Sequence, residues 1–566
     1  MVTRPNLDHF LAGWRGPLLA ALLALVAGLP GLLLLPPLDR DESRYAQATA
    51  QMLESDDFVD IRFQQEPRWN KPVGAYWLQA AAVSLTSRVE NRDIGPYRLP
   101  SLLGAMAAAA AAAWAGAALF GQRAGFLAGA MLGTGFLMST LAGIATTDAL
   151  LCGAVTVAMA ALARIYMSAR AGARPTRPHK FLFWLGLGLA ILLRGPSGLL
   201  VIVPAIVTLS LWDRDIRWLR RLGWGWGVPI VALIVGPWAI AITISTDGAF
   251  WREAIDGGLF GRGGGQAGHG GFPGLYLALA PLLLFPATLM LPAALETAWR
   301  GRAEPAVRVL VCWLVPAWVI FELLPGKPWQ AALPTFGALA LLSAAALNRP
   351  ISDLSRRLGS GLAIAAAVVI CGVTVYGLTL YGSPPARTWA TVTVVGAVVA
   401  GVGGAFLLMN QAAVSAVLAS IIFGLISHAA LAGVLWQLKP LTISPQLVRT
   451  LEAAGVNPRQ GLAPGPVAIT GFHEPSFVFL TGTDTQLTNA AGAATALSEG
   501  RPAIVEAADA DAFRRALLAT GAAGRAVGVV SGHNYSTGDD VSLTVYAPTG
   551  GAPGVRGDAG HAGALP

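Results

Sequence analysis

Residues 181–211 read FLFWLGLGLAILLRGPSGLLVIVPAIVTLSL, a run of 31 positions with one ionisable side chain, Arg194. So long a stretch with so little charge reads as membrane-spanning rather than as a core helix. Pro196 lacks a backbone N–H and disfavours helix in the residue before it. The run is therefore either two short helices, 181–193 and 197–211, or one helix broken near Gly195-Pro196. Similar runs lie at 17–36, 99–119, 125–145, 149–168, 224–244, 274–297, 309–324, 329–347, 359–381, 389–408 and 413–437. With 181–211 counted as two, the sequence predicts thirteen helices.

Composition agrees. The chain has 566 residues, 54% hydrophobic and 12% charged, with a mean hydropathy of +0.58. A soluble domain carries about 25% charged residues, so this chain lacks the polar surface for a water-soluble shell. The net charge of +8 is not a nucleic-acid signature, because no binding motif accompanies it and basic residues of membrane proteins collect in cytoplasmic loops. Cys152, Cys312 and Cys371 lie in apolar runs without metal spacing, as small buried hydrophobes do. Arg4 and Arg15 precede the run from Pro17 to Leu35 as in a signal peptide. No small-residue cleavage site follows, so an uncleaved first helix is expected.

The positive-inside rule orients the chain. With the N-terminus cytoplasmic, the connections 169–180 (Arg170, Arg174, Arg177, Lys180), 212–223 (Arg214, Arg217, Arg220, Arg221), 298–308 (Arg300, Arg302, Arg308) and 348–358 (Arg349, Arg356, Arg357) all fall inside. Outside fall a loop at 37–98, a Gly-rich loop at 245–273 and everything after 437. The polytopic α-helical domain is thus 1–437. Residues 438–548 mix β-type runs (467–470, 476–480, 503–506, 526–530, 542–546) with helix-like ones (490–498, 508–518), which predicts a small periplasmic α/β domain. A Gly/Ala-rich disordered tail is expected over 549–566.

Ionisable groups beside membrane helices are costly and mark candidate sites. Six lie at predicted outer helix ends. Asp39-Arg40-Asp41-Glu42-Ser43-Arg44-Tyr45 follows the first helix, either as a self-neutralising cap or with a carboxylate acting as general base. Arg68-Trp69-Asn70-Lys71-Pro72-Val73-Gly74-Ala75-Tyr76-Trp77 offers either an interfacial anchor or a cation for a lipid phosphate. Asp148 is an N-cap or a functional acid. Arg194 breaks the positive-inside pattern and suits a bound anion. The loop from Asp256 through Arg262 and His269 to Pro273 is glycine-rich, mobile or approaching a ligand closely, without a nucleotide-binding fingerprint. Pro325-Gly326-Lys327-Pro328 is a second Lys-Pro pair; the chain has only four lysines against 35 arginines. No strong metal spacing is present, although a divalent ion could assist.

The ordered set Asp41-Glu42-Ser43-Arg44-Tyr45-Ala46, Lys71-Pro72 with Tyr76-Trp77-Leu78, Arg98-Leu99-Pro100-Ser101, Asp148, Arg194-Gly195-Pro196, Arg262, His269, Pro273, Lys327 with Leu333-Pro334, and Gly471-x-x-Glu474-Pro475-Ser476 resembles the lipid A aminoarabinose transferases. These stand with the bacterial protein O-mannosyltransferase-like enzymes in the GT-C glycosyltransferase class. The resemblance implies inverting transfer of a sugar from an undecaprenyl-phosphate carrier, at the periplasmic face of the bacterial inner membrane, to a lipid A, glycan or protein acceptor. It implies catalytic roles for Asp41, Glu42 and Asp148. It implies substrate or carrier-phosphate binding by Arg44, Tyr45, Lys71, Arg194, Arg262, His269 and Lys327. Three positions depart from the family pattern. Val73 replaces a second proline, Arg194 stands where lysine is more usual, and Ala331 stands where tyrosine is usual. The alternatives are a transporter or flippase of a lipid-linked sugar, which needs polar groups through the bundle depth, and a non-catalytic assembly scaffold.

Overall fold

The computed structural model describes residues 7–69, 71–255, 271–324, 326–461 and 463–549. It divides into two compact units, Met1–Leu438 and Lys439–Pro566.

The first unit is an α-helical bundle, and the chain is a multi-pass membrane protein. Nine described helices are long and apolar enough to cross a bilayer, with the 37-residue run Arg177–Asp213 counted as one. A tenth follows if Gln122–Gly133 and Phe136–Ala142, bent by 61°, form one span. The long run doubles back on itself. A straight helix of that length would put Asp213 roughly 55 Å from Arg177. Instead Asp213 lies 3.7 Å from Arg170, while Arg194 pairs with Asp148 at the other end of the helix Asp148–Arg170. The reversal occurs in the 3-10 turn Gly195–Gly198, where Gly195 holds φ +60°. The proline in Arg194-Gly195-Pro196 thus separates two antiparallel helices, Arg177–Arg194 and Leu199–Asp213.

Three other predicted runs are less regular than expected. The run 125–145 kinks at Thr134-Gly135, where Phe136 N–H bonds to Phe285 O at 2.7 Å. The run 274–297 becomes Leu275–Leu283, a 3-10 turn Ala287–Met290 and Leu291–Arg300, because Pro281 and Pro286 withhold helical donors. The run 329–347 holds helix only over Phe336–Ala346, after a 3-10 turn at Leu333–Thr335.

The helix Asp148–Arg170 spans roughly 34 Å and so defines two ends of the bundle. At one end Asp213 accepts from Tyr166 Oη at 2.7 Å and pairs with Arg308 and Arg170. The Arg221 guanidinium bonds Ala173 O beside them. This is the end where the arginine-rich connections gather. The opposite end begins at Asp148. Between the ends, small residues let helices touch: a Cβ on Gly104 would lie 2.6 Å from Leu150 Cα, and one on Gly153 2.5 Å from Gly104 O.

Segment 37–98, expected as a loop, is largely helical. Acids at its first two positions suit the positive N-terminal end of the helix Asp41–Ser55, and Tyr45, Ala48 and Met52 line its buried face. A two-stranded hairpin, Arg62–Phe63 with Glu66–Pro67, leads through Lys71-Pro72 into a second helix, Gly74–Thr86.

The second unit is the expected α/β domain. Its sheet runs Gln486–Leu487, Ala468–Thr470, Ala503–Glu506, Asp539–Pro548, Gly524–Asn534 in spatial order. The first three strands are parallel and the last two antiparallel to their neighbours. Residues 476–480, predicted as strand, are helical within Pro475–Thr481. Proline at the first helical position starts the turn, and burial of Phe477, Val478 and Phe479 explains an apolar run that periodicity could not assign. The tail expected at 549–566 lies outside the described residues except for Thr549.

Candidate active site

At the Asp148 end, four chain segments bring opposite charges together. The helix Asp41–Ser55 supplies Asp41 and Tyr45. The turn before Gly74–Thr86 supplies Arg68 and Lys71, and that helix supplies Tyr76. Asp148 begins its own helix, and Arg194 ends the helix packed against it.

Arg194 Nη1 donates to Asp148 Oδ1. Tyr45 and Tyr76 rings pack at 5.1 Å between centroids, both buried. The Arg68 guanidinium lies 5.1 Å from the Tyr45 ring centre and the Lys71 ammonium 5.3 Å, so the ring face holds two cations. Arg68 Nε also donates to Tyr76 Oη at 3.2 Å. Asp41 lies within electrostatic reach of Tyr45, Arg68, Lys71 and Arg194. Its carboxylate makes no hydrogen bond or ion pair among the described residues.

Burial pushes the Lys71 ammonium down to about 8; Arg194 pushes the same way, while Asp148 and Asp41 pull it back up. Burial lifts the Tyr45 and Tyr76 phenols to about 12, so both stay neutral at physiological pH. The hydroxyls of Tyr45, Thr146 and Thr147 are buried and lack a hydrogen bond of good geometry, although Thr147 lies close enough to influence the Tyr45 phenol. Unpaired polar atoms beside a charged cluster are places where a polar ligand restores lost bonds.

Close backbone approach sets the spacing. A Cβ on Gly74 would meet Leu192 O at 2.7 Å, so only glycine lets the turn carrying Lys71 lie against the helix ending in Arg194.

Other predicted residues sit differently. Glu42, next to Asp41, faces away into a buried pair with Arg98 at 2.8 Å. Lys327 Nζ donates to Glu322 at 3.2 Å and to Phe272 O at 3.0 Å. Glu322 in turn accepts from Gly274 N–H at 3.0 Å and from Tyr276 N–H at 3.1 Å. The Lys327 charge is therefore already matched, although Tyr276 links its neighbourhood electrostatically to Arg194. Arg44 is half-buried and makes no side-chain bond among the described residues. Arg262 and His269 lie outside the described residues. No group of three or more His, Cys, Asp or Glu is placed to hold a metal ion among the described residues.

Arg68 and Tyr76 have no sequence signal that separates them from interfacial anchors, because an arginine and a tyrosine near a bilayer surface serve equally in that role. Glu322 is absent from the six candidate sites. Its signal was an acid at the end of an apolar run, the criterion that selected Asp148.

Comparison with known proteins matches residues 32–250 to the family Dolichyl-phosphate-mannose-protein mannosyltransferase. The undecaprenyl phosphate-alpha-4-amino-4-deoxy-L-arabinose arabinosyl transferase of Pseudomonas paraeruginosa is 31% identical over 348 residues, 59% of this chain and 61% of the relative. The transferase of the same name from Erwinia tasmaniensis is 30% identical over 314 residues, 54% of each. The chain thus spans less than two thirds of the length of these relatives. The crystal structure of ArnT from Cupriavidus metallidurans bound to undecaprenyl phosphate superposes with a TM-score of 0.71 at 18% identity, over 93% of this chain and 97% of that one. Its apo form gives 0.70 at 19% identity, over the same shares of the two chains. The chain therefore has the ArnT fold and, over somewhat more than half of its length, resembles the undecaprenyl phosphate-aminoarabinose arabinosyl transferases.

Proposed function

We propose that this chain is an inverting glycosyltransferase that moves a sugar from an undecaprenyl-phosphate carrier to an acceptor at the periplasmic face of the bacterial inner membrane. The observation that carries this proposal is the meeting of Arg68, Lys71 and Arg194 with Asp41 and Asp148 at one end of the bundle. A phosphate in that cradle receives donors from Lys71, Arg68 and the Arg194 edge not turned to Asp148. Arg262 and His269 are assigned to it by sequence alone. Lys327, matched by Glu322, steadies the chain at Phe272 instead of meeting the phosphate itself.

The step breaks the bond between the anomeric carbon and the carrier phosphate oxygen and forms one from that carbon to an acceptor oxygen on the opposite side. The electron pair of the broken bond leaves with undecaprenyl phosphate. Its growing charge is what the three cations stabilise. The proton of an acceptor hydroxyl passes to Asp41, whose lone pairs no described residue occupies. Asp148 keeps Arg194 aimed into the cradle. An acceptor that is already anionic needs no base, and Asp41 then orients it.

The orientation is supported by the arginine-rich connections at the Asp213 end, which suit the cytoplasmic side. With that end inside, the site faces the periplasm, as does everything after the last span if the number of crossings is odd. A flippase is disfavoured by charged clusters that sit at the ends of the bundle instead of running through its depth, and by relatives named as transferases.

The test gives purified protein undecaprenyl phosphate-linked 4-amino-4-deoxy-L-arabinose with an envelope lipid extract. In parallel, envelope lipids and glycans of cells with and without the protein are compared by mass spectrometry. Transfer predicts release of undecaprenyl phosphate and a mass lost from the deficient cells. Asp41→Asn and Asp148→Asn should insert normally and lose turnover. Movement of the donor across vesicles with no covalent product would refute the proposal.

A further inference from the structure

Glu42 and Arg98 form a closed unit beneath the site. Arg98 is fully buried on the helix Ile94–Phe120. Its Nε and Nη2 each donate to one Glu42 oxygen at 2.8 Å. Its remaining donors go to Leu35 O at 2.6 Å, Pro36 O at 2.8 Å and Gly31 O at 3.2 Å. All five guanidinium hydrogens thereby have acceptors. Glu42 is equally saturated: Oε1 also accepts from Ala145 N–H at 2.8 Å and Oε2 from Leu38 N–H at 2.9 Å. Two oxygens with four donors have no lone-pair site left for a substrate proton.

The partners of this pair are the two strands of chain that lead to the carboxylates. Leu38 precedes Asp41 by three residues, and Ala145 precedes Asp148 by three. Ser101, one turn beyond Arg98 on the same helix face, donates to Thr146 O at 3.0 Å. A Cβ on Gly143 would approach Gly31 Cα to 2.7 Å, so the two segments are also in backbone contact. Arg40 enters the helix with φ +65°, an uncommon conformation for a residue with a side chain, maintained where Glu42 and the Ser43 hydroxyl grip Leu38.

We propose that Glu42 is a positioning residue and not a catalytic acid or base: clamped to Arg98, it sets the separation of Asp41 from Asp148. The inference rests on the transfer proposed above for its kinetic consequence, while its geometric consequence stands apart from any activity.

The test therefore has two arms, both on the full chain. In the kinetic arm, Glu42→Gln turns one acceptor oxygen into a donor facing Arg98 or a backbone N–H. It is expected to lower kcat at least tenfold, leave the Kd for undecaprenyl phosphate within twofold and keep the wild-type shape of the pH–rate profile. Loss of the acidic limb of that profile would make Glu42 the base and overturn the proposal; so would an unchanged kcat. In the geometric arm, spin labels at Arg44→Cys and Ile144→Cys, with the three native cysteines replaced by alanine, report the spacing of the two segments. A narrow distance distribution should broaden or shift in Glu42→Gln, and an identical distribution overturns the proposal. Arg98→Lys keeps the charge but not the fork, and should reproduce both effects if Glu42→Gln fails to fold. A shifted distance with no turnover of any donor by wild type would instead sink the transfer proposal and leave the clamp intact.

Discussion

Lys71 offers the sharpest test of the phosphate cradle, because its charge is switchable. With burial holding its ammonium near 8, the group is charged below that pH and loses its charge as pH rises through it. The sign for carrier binding follows directly: affinity is full below about 8 and falls above it. The phosphate of undecaprenyl phosphate has its second ionisation at about 6, so it is already dianionic over this window. The charged fraction of Lys71 is about 0.9 at pH 7 and about 0.09 at pH 9, which predicts a roughly tenfold loss of affinity, or about 1.4 kcal/mol. Folding stability should move the other way. The protonated form is disfavoured in the folded state, so this site's contribution rises between about 8 and the usual lysine value. Calorimetric titration of purified protein with undecaprenyl phosphate at pH 7, 8 and 9 reads the effect. Lys71→Met should bind more weakly at pH 7, by about tenfold or more for a lost charge-assisted bond, and its affinity should be flat with pH. A wild-type Kd constant from pH 7 to 9, or the same slope in Lys71→Met, would refute the reasoning.

Gly74→Ala puts a carbon 2.7 Å from Leu192 O, about 0.7 Å inside ordinary contact, so the turn must retreat from the helix ending in Arg194. The expected result is a loss of turnover on the order of tenfold to a hundredfold with insertion retained, checked by the donor-release assay. Tyr45→Phe removes a hydroxyl without a well-formed bond, so thermal stability in detergent should change by less than about 0.5 kcal/mol while carrier or sugar affinity falls. Asp213→Asn, at the far end of the bundle, strips Arg308 and Arg170 of their carboxylate and should cost about 3 kcal/mol of stability with kcat unchanged in the protein that stays folded.

How much of this was legible beforehand differs from residue to residue. Lys71 could be selected because a lysine beside proline at a membrane edge is rare in a chain so poor in lysine. That its partner is the Tyr45 ring could not, since Tyr45 is 26 positions away and reads as part of an acidic motif. Asp41 and Glu42 are adjacent and chemically alike, and nothing local separates them. On a helix, however, neighbours point about 100° apart, and that rotation leaves one carboxylate without described partners and seals the other against Arg98. Lys327 was chosen by the same rule as Lys71, yet the fold supplies it with Glu322.

Sequence alone determined that the chain is a helical membrane protein with a small α/β domain, because apolar run length and the placement of arginines answer to the bilayer and not to any particular packing partner. It also located Asp41, Lys71, Asp148 and Arg194, since charges at the edges of apolar helices are costly wherever they occur. Tertiary structure alone decided that residues 177–213 fold back on themselves, that the first connection holds two helices, and which carboxylate is held and which is left open. Those outcomes depend on hydrogen-bond partners such as Arg98 and Ala145, 56 and 103 positions from Glu42, and periodicity along one segment carries no information about which distant donors will reach it.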